Sequence, residues 1–559
     1  MESSSANEND VRRPSENIAG RGAGKNKFWL KNFPAGIALT VLALLIWVLV
    51  QGDFGTTADE PVQSRYGEAV RNYLAGNVSY DGFLQTPKLP PNIFFYGPTV
   101  DLFCATLAHI FNADIFSVRH GVQGFFWVAM FYPVCALGRK LSGRPGAWFS
   151  GLALLGTPSL FGHAFNNPKD LPLACATVWL LNAAVSAAAR RRGGGRTILQ
   201  LGGAVGFLLA MRPGAWFLCA LPGLIPFVAV WRARKIFGNW RLKFFFRPLP
   251  ALFAAFCLGW LLMILPWPNA WHAPLRHPIQ AAGFAAHFDE HYPVLFHGTV
   301  FTSNRLPWDY LPTYLVLTLP LPLLILSLWG HFVLGRNFFI TTTAKAAAAL
   351  GVLFVLWFPL AVFIMVRPNV YDGMRHFLFV LPPLAVLAGV AATDVFRRLK
   401  NKIPPSLSAA GIVLVLLSAV PAMARLHPYE NVFFNVLAGP RETLSERYET
   451  DYWFSSYREA AQWINDRQAR SERPLRVLVA GLNFYSPVFL HHVNSKTVTT
   501  MAGIGYMALY PLPPEYDFYV ATVRYGQWHN FPTAPVVHRI ERDGIVLTVV
   551  RAQPQNPAP

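Results

Sequence analysis

Residues 92–111, NIFFYGPTVDLFCATLAHIF, decide how the rest of the chain is read. The run is apolar, and about 20 such residues as a helix span the ~30 Å hydrocarbon core. It also carries Gly97, Pro98 and Asp101. Counting it as a span reverses the side of every later loop. Without it, eleven spans remain, at 35–50, 118–137, 147–163, 171–189, 198–211, 215–231, 249–266, 312–334, 346–366, 376–392 and 405–422. The inside segments then hold 25 Lys and Arg and the outside loops nine. With it, the basic clusters RRRGGGR, WRARKIFGNWR and FRRLKNK all move outside, against the positive-inside rule. The run is therefore expected to lie along the interface or to re-enter it.

Composition supports the same frame. The chain has 559 residues, 53% hydrophobic and only 14% charged. That is too apolar for one soluble domain and too long for one core. The net charge of +19 could suggest nucleic acid, but the basic residues sit in short clusters between apolar runs, as cytoplasmic loops do. All five cysteines fall in apolar stretches without zinc or disulfide spacing, and are expected to be buried structural thiols. Residues 1–34 are polar and predicted to be a disordered cytoplasmic tail. The first span has no small-residue cleavage site after it and reads as an uncleaved anchor.

With this topology the outer loops collect the unusual residues. Directly after the first span comes GTTADEPVQSRYGEA, with adjacent acids Asp59 and Glu60. Acidic groups near lipid are costly, and their default reading is functional. The first outer loop, 52–117, also holds Lys88. HAFNNPKDL supplies Asn167, Lys169 and Asp170, MRPG supplies Arg212, and RPNVYDGMRH supplies Tyr371, Asp372, Arg375 and His376. The loop at 267–311 is long and rich in His and Trp. Residues 425–559 follow on the same face and read as a soluble α/β domain. YREAAQWINDR has helical periodicity, RVLVAG and FYVATV read as buried strands, and VVHRIERDGIVLTVV reads as a hairpin turning at Asp543-Gly544. No catalytic constellation is evident in it, so substrate docking or packing on the membrane part is expected.

These residues carry a resemblance. ADEP after the first span, NPKDLP at the start of a span, YDGMRHFLFVLPPLA late in the chain and HPYENVFFNVLAGP before the C-terminal domain resemble the GT-C class of polytopic membrane glycosyltransferases. Within it they are similar to the bacterial branch that resembles protein O-mannosyltransferases and the lipid A aminoarabinose transferase. The resemblance implies a GT-C fold of about eleven membrane helices plus interfacial helices, with the C-terminal α/β domain outside. It implies transfer of a sugar from a polyprenyl-phosphate donor to a hydroxyl acceptor (protein, lipid or glycan), with inversion and no cofactor or metal. Asp59 would take the acceptor proton, Glu60 would orient a hydroxyl or Asp59 itself, and Asp170 would help hold acceptor or sugar. Asn167, Lys169 and Tyr371 are further substrate-binding candidates.

A free Asp, with a pKa of about 3.9, is a poor base at neutral pH. Burial at a lipid-facing cleft is expected to raise it. The leaving phosphate needs cations where charge develops. Lys88, Arg212, Arg375 and His376 are the candidates, and which of them binds stays open. In the aminoarabinose transferase a Lys directly precedes two prolines. Here Leu89 stands between Lys88 and Pro90-Pro91. Short loops and bacterial-type motifs favour a bacterial inner membrane with chemistry on the periplasmic face, and an endoplasmic reticulum setting stays open.

Two other readings compete. A secondary transporter or flippase of lipid-linked substrates also places charges among many spans, but no internal repeat is evident and the acids gather at one face. His287, Glu290 and His291 fit H-x-x-E-H, the inverted zinc-peptidase pattern. Tyr292-Pro293 follows at once, so no helix continues there, and no third ligand lies nearby. Chance in a His-rich loop is the preferred account, with a membrane zinc peptidase as the minor alternative.

Overall fold

In a computed structural model the described residues are 34–190, 194–237, 242–286, 288, 290–337, 342–481, 486–494, 498–502 and 516–553. The expected tail at 1–33 and the arginines at 191 and 192 lie outside them. Apolar helices occupy the positions of the spans. The first, α1 (Ala35–Val50), has no charged residue at all. Leu45 and Leu49 on it are 57% and 79% exposed, a surface that only lipid makes tolerable.

Among the described residues, seven helices are long and apolar enough to cross a membrane, or eight if one bent pair is a single span. The expected eleven are not reached for local reasons. The 147–163 run breaks at Gly156-Thr157 into a 12-residue helix and a single turn. The 312–334 run bends by 115° between Tyr310–Leu317 and Leu321–Arg336. Ala35–Val50 and Gly195–Met211 are shorter than a full crossing. The chain is an integral membrane protein, and most of it is helical.

Helix α2 (Glu60–Leu74) follows the first loop and packs across α3 (Thr99–Phe111). Gly67 makes this contact possible, since a Cβ there would sit 2.2 Å from the Asp101 carbonyl oxygen. The deciding run is therefore a short 3₁₀ segment followed by a 13-residue helix, not a full crossing. Its acid is accommodated, because Asp101 pairs at 2.8 Å with Arg119, which is fully buried on α4 (Ile115–Ser142). Elsewhere, α5 (Asp170–Ala189) is buried along most of its length. The helices Gly195–Met211 and Leu249–Ile264 meet at Gly206 and Gly259, where a Cβ would lie 2.8 Å from a facing side chain.

Among the described residues, five strands lie towards the end of the chain. They are β1 (Leu475–Val479), β2 (Val498–Ala502), β3 (Phe518–Thr522), β4 (Val536–Arg542) and β5 (Ile545–Ala552). Their order is β2-β1-β3-β5-β4, parallel over the first three and antiparallel at β3-β5 and β5-β4. A helix at Tyr457–Gln468 precedes them. The β4-β5 hairpin turns at Asp543 (φ 51°) and Gly544 (φ 84°), both left-handed as a tight primed turn requires. The cysteines are unpaired; Cys104, Cys135 and Cys175 are buried as expected, but Cys219 is only partly buried and Cys257 is exposed.

Candidate active site

Residues distant in sequence meet at one point. Asp59 sits at the N-terminus of α2, where its own side chain caps nothing. Its Oδ2 lies 3.2 Å from Arg375 Nη1. The same nitrogen is 3.5 Å from Asp170 Oδ2, and Asp170 also pairs with Arg212. Arg375 Nε faces Asp372 Oδ2 at 2.8 Å, and the other Asp372 oxygen faces Arg524 Nη2 at 2.7 Å. Three carboxylates and three guanidinium groups thus form one alternating cluster.

Local chemistry explains each placement. The loop before Asp59 is tied down by its neighbour. Glu60 is fully buried and accepts from the Thr57 backbone N–H at 2.8 Å, while its other oxygen faces His120 at 3.3 Å. Thr57 Oγ1 in turn donates to the Asn166 carbonyl at 2.9 Å, locking this loop to the Asn-Pro-Lys-Asp corner. Asn167 closes that corner by accepting from the Asp170 N–H at 2.7 Å, which directs Asp170 inward at the start of α5. Arg375 is presented by a tight turn, with Asp372 and Gly373 at φ 61° and 64°. Its guanidinium lies between Tyr371 and Trp453, 5.0 and 4.8 Å from the ring centroids.

Arg375 is held unequally. The Asp59 side chain is 35% exposed, and a pair of that kind contributes on the order of 0–1 kcal/mol. The Asp372 side chain is 2% exposed, and breaking a buried pair costs roughly 3–5 kcal/mol. Asp372 therefore anchors Arg375 and Asp59 touches it lightly. Burial alone drives the Asp59 carboxyl up. Arg375, helped by Lys169 and Arg524, more than offsets this and holds it below the usual carboxylate value. The raised value expected from burial is reversed, because the sequence does not reveal that a guanidinium stands against this acid.

A groove of about 390 Å³ opens beside the cluster. Its walls are mostly apolar, among them Phe217, Phe284, Phe358 and Val362, and Arg212, Tyr371 and His376 are among its polar residues. His376 Nε2 is buried with no hydrogen-bond partner among the described residues. Lys169 stands 3.9 Å from the Tyr96 ring centroid, at the same corner.

The sequence candidates are thus sorted. Asp59, Asp170, Arg212 and Arg375 meet directly, Tyr371 stacks on Arg375, and His376 lines the groove. Glu60 and Asn167 are turned into the scaffold. Lys88 is exposed on a left-handed residue (φ 63°) with none of the cluster's carboxylates against it. In the His-rich loop, His287 lies outside the described residues. Glu290 accepts from Asn92 Nδ2 at 3.0 Å, and His291 lies 3.2 Å from Asn304. Among the described residues no three His, Cys, Asp or Glu are grouped to hold a metal.

The C-terminal residues were missed. Trp453 and Arg524 belong to the cluster, and Glu449 accepts from the Gly373 N–H at 3.2 Å. Burial and the Asp372 carboxylate push Glu449 up to about 8. The nearest sequence signal was the stretch that runs into this region, HPYENVFFNVLAGP.

The fold is that of the GT-C glycosyltransferases. An archaeal oligosaccharyltransferase, AglB from Archaeoglobus fulgidus, solved with an inhibitory peptide and a dolichol-phosphate, is similar at a TM-score of 0.50 and 13% identity, over 88% of this chain and 70% of its own. ArnT from Cupriavidus metallidurans bound to undecaprenyl phosphate aligns at 0.47 and 14% identity, over 93% of this chain and 99% of its own. The arabinofuranosyltransferase AftD from Mycobacteria aligns at 0.46 and 12%, over 93% of this chain and 40% of its own. No model of a protein family matches the chain, and no curated protein matches it in sequence.

Proposed function

We propose that this protein is a membrane glycosyltransferase that moves a sugar from a polyprenyl-phosphate donor to a hydroxyl acceptor with inversion. The observation that carries the reading is the apolar groove ending on Arg212, Tyr371 and His376 beside the Asp59–Arg375–Asp170 cluster. A polyprenyl chain suits the groove, and its phosphate suits Arg212 on the groove and Arg375 in the cluster beside it. The archaeal fold neighbour was captured with a dolichol-phosphate, a ligand of the same chemistry.

In the proposed reaction the acceptor oxygen attacks the anomeric carbon and its proton passes to Asp59. The bond from that carbon to the phosphate oxygen breaks, and the electron pair leaves on the lipid phosphate. Arg212 and Arg375 stabilise the charge that develops there. Asp170 holds the arginines in register. The residues provide charge stabilisation and a base without drawing on any further group. The C-terminal region is proposed as an extracytoplasmic domain and the membrane as a bacterial inner membrane, with the cluster on the periplasmic side.

The test is to incubate membranes with a panel of radiolabelled polyprenyl-phosphate sugars and follow what becomes labelled. Wild type should label an acceptor, and Asp59→Asn should lose ~10²–10⁴-fold in rate while still inserting. Full activity in Asp59→Asn removes it as the base, and no transfer from any donor removes the reading.

A further inference from the structure

We propose that Arg375 masks the base in the substrate-free enzyme, and that the donor phosphate unmasks Asp59 by taking its place on the guanidinium. The inference rests on the glycosyl-transfer reading and adds an order to it, with the donor binding before the acceptor is deprotonated.

Arg212 on the groove and Arg375 in the cluster beside it are already matched by carboxylates. Arg212 is paired with Asp170, and Arg375 with Asp372, Asp59 and Asp170. A phosphate arriving there competes with these carboxylates for the guanidinium nitrogens that face them, and the geometry selects which carboxylate gives way. Asp372 is fixed from its other side by Arg524, at 2.7 Å. Asp170 is held by Arg212 and by the Asn167 corner. Asp59 has Arg375 as its one ion-pair partner among the described residues, and its side chain is 35% exposed where the other two are 2%. Asp59 is the carboxylate that yields.

The exchange also resolves a conflict within the site. An aspartate held below the usual carboxylate value is a poor acceptor of a hydroxyl proton. Moving the guanidinium onto a phosphate removes the first of the charges that depress it. The acceptor hydroxyl is then deprotonated only when a donor phosphate, the leaving group, is already in place.

The experiment is equilibrium binding of undecaprenyl phosphate to the full chain in nanodiscs, by wild type, Asp59→Asn and Arg375→Gln. A masking acid predicts tighter binding once it is neutralised. Asp59→Asn should gain about three- to fivefold in affinity, although it cannot transfer sugar, and Arg375→Gln should lose at least about tenfold. A residue with a merely structural role would not tighten binding when altered. Asp59→Ser serves as the second variant, and melting curves establish that each is folded. Unchanged or weaker binding in both Asp59 variants overturns the masking role while the transferase reading stands. No binding by wild type overturns the polyprenyl-phosphate reading, and the masking role with it.

Discussion

Glu449 illustrates how one buried carboxyl makes the site sensitive to pH. Its folded value of about 8 lies well above the ~4.3 of an unfolded Glu. A group raised in this way binds its proton more tightly in the folded state. Its stabilising effect is complete below about pH 4.3 and is lost as pH climbs through about 8. Thermal melting of wild type should therefore fall as pH rises from about 5 to about 8 and level off above it, and Glu449→Gln should flatten that fall. An identical slope in the two proteins would remove Glu449 as its source. At this scale the sequence was informative about identity and silent about partners. Asp59, Asp170, Arg212 and Arg375 stand out because each is a charged residue beside an apolar run. Nothing in their local context says that Asp59 faces Arg375 and Glu60 faces His120, since adjacent residues at a helix start point in different directions.

Among the elements, those specified by local rules were legible and those specified by tertiary contact were not. The hairpin at Val536–Ala552 follows from Asp543-Gly544 between alternating strands. The omission of 92–111 as a span followed from charge, and the structure adds its reason in the buried pair Asp101–Arg119. The 115° bend in the Tyr310–Arg336 segment has no comparable signal beyond Pro320. Fusions of a reporter after residues 143 and 400 should read the cytoplasm, and one after 425 the opposite side. A cytoplasmic signal at 425 would break the sidedness. Gly67→Leu should destabilise the protein by about 1–3 kcal/mol and impair transfer, because α2 must move off Asp101 and carry Asp59 with it. Wild-type melting and activity in that variant would mean that the close approach is dispensable.

For the whole molecule, the C-terminal region reaches into the residue cluster of the membrane part and is not an appendage. Arg524 reaches Asp372, the Trp453 ring lies against Arg375, and Trp453 also accepts from the Ala58 N–H at 3.1 Å. The sequence reading placed this region near the membrane part but saw no chemistry in it, because its contribution is spread over single residues far apart. Arg524→Ala should leave one oxygen of the buried Asp372 without its cation while Arg375 stays on the other, lowering stability by roughly 1–3 kcal/mol. It should also weaken undecaprenyl phosphate binding by displacing Arg375, with partial recovery in Arg524→Lys. Loss of stability with unchanged lipid binding would confine Arg524 to a scaffold role.

The limited size of the groove has a consequence for substrate choice. A polyprenyl donor, as proposed, would seat the isoprene units nearest its phosphate in this groove of about 390 Å³, with the remainder of a long tail among the acyl chains. On the proposed reading, natural and shortened carriers are discriminated by their first few units and by nothing further along, so truncated synthetic donors that fill this space should serve as well as full-length ones.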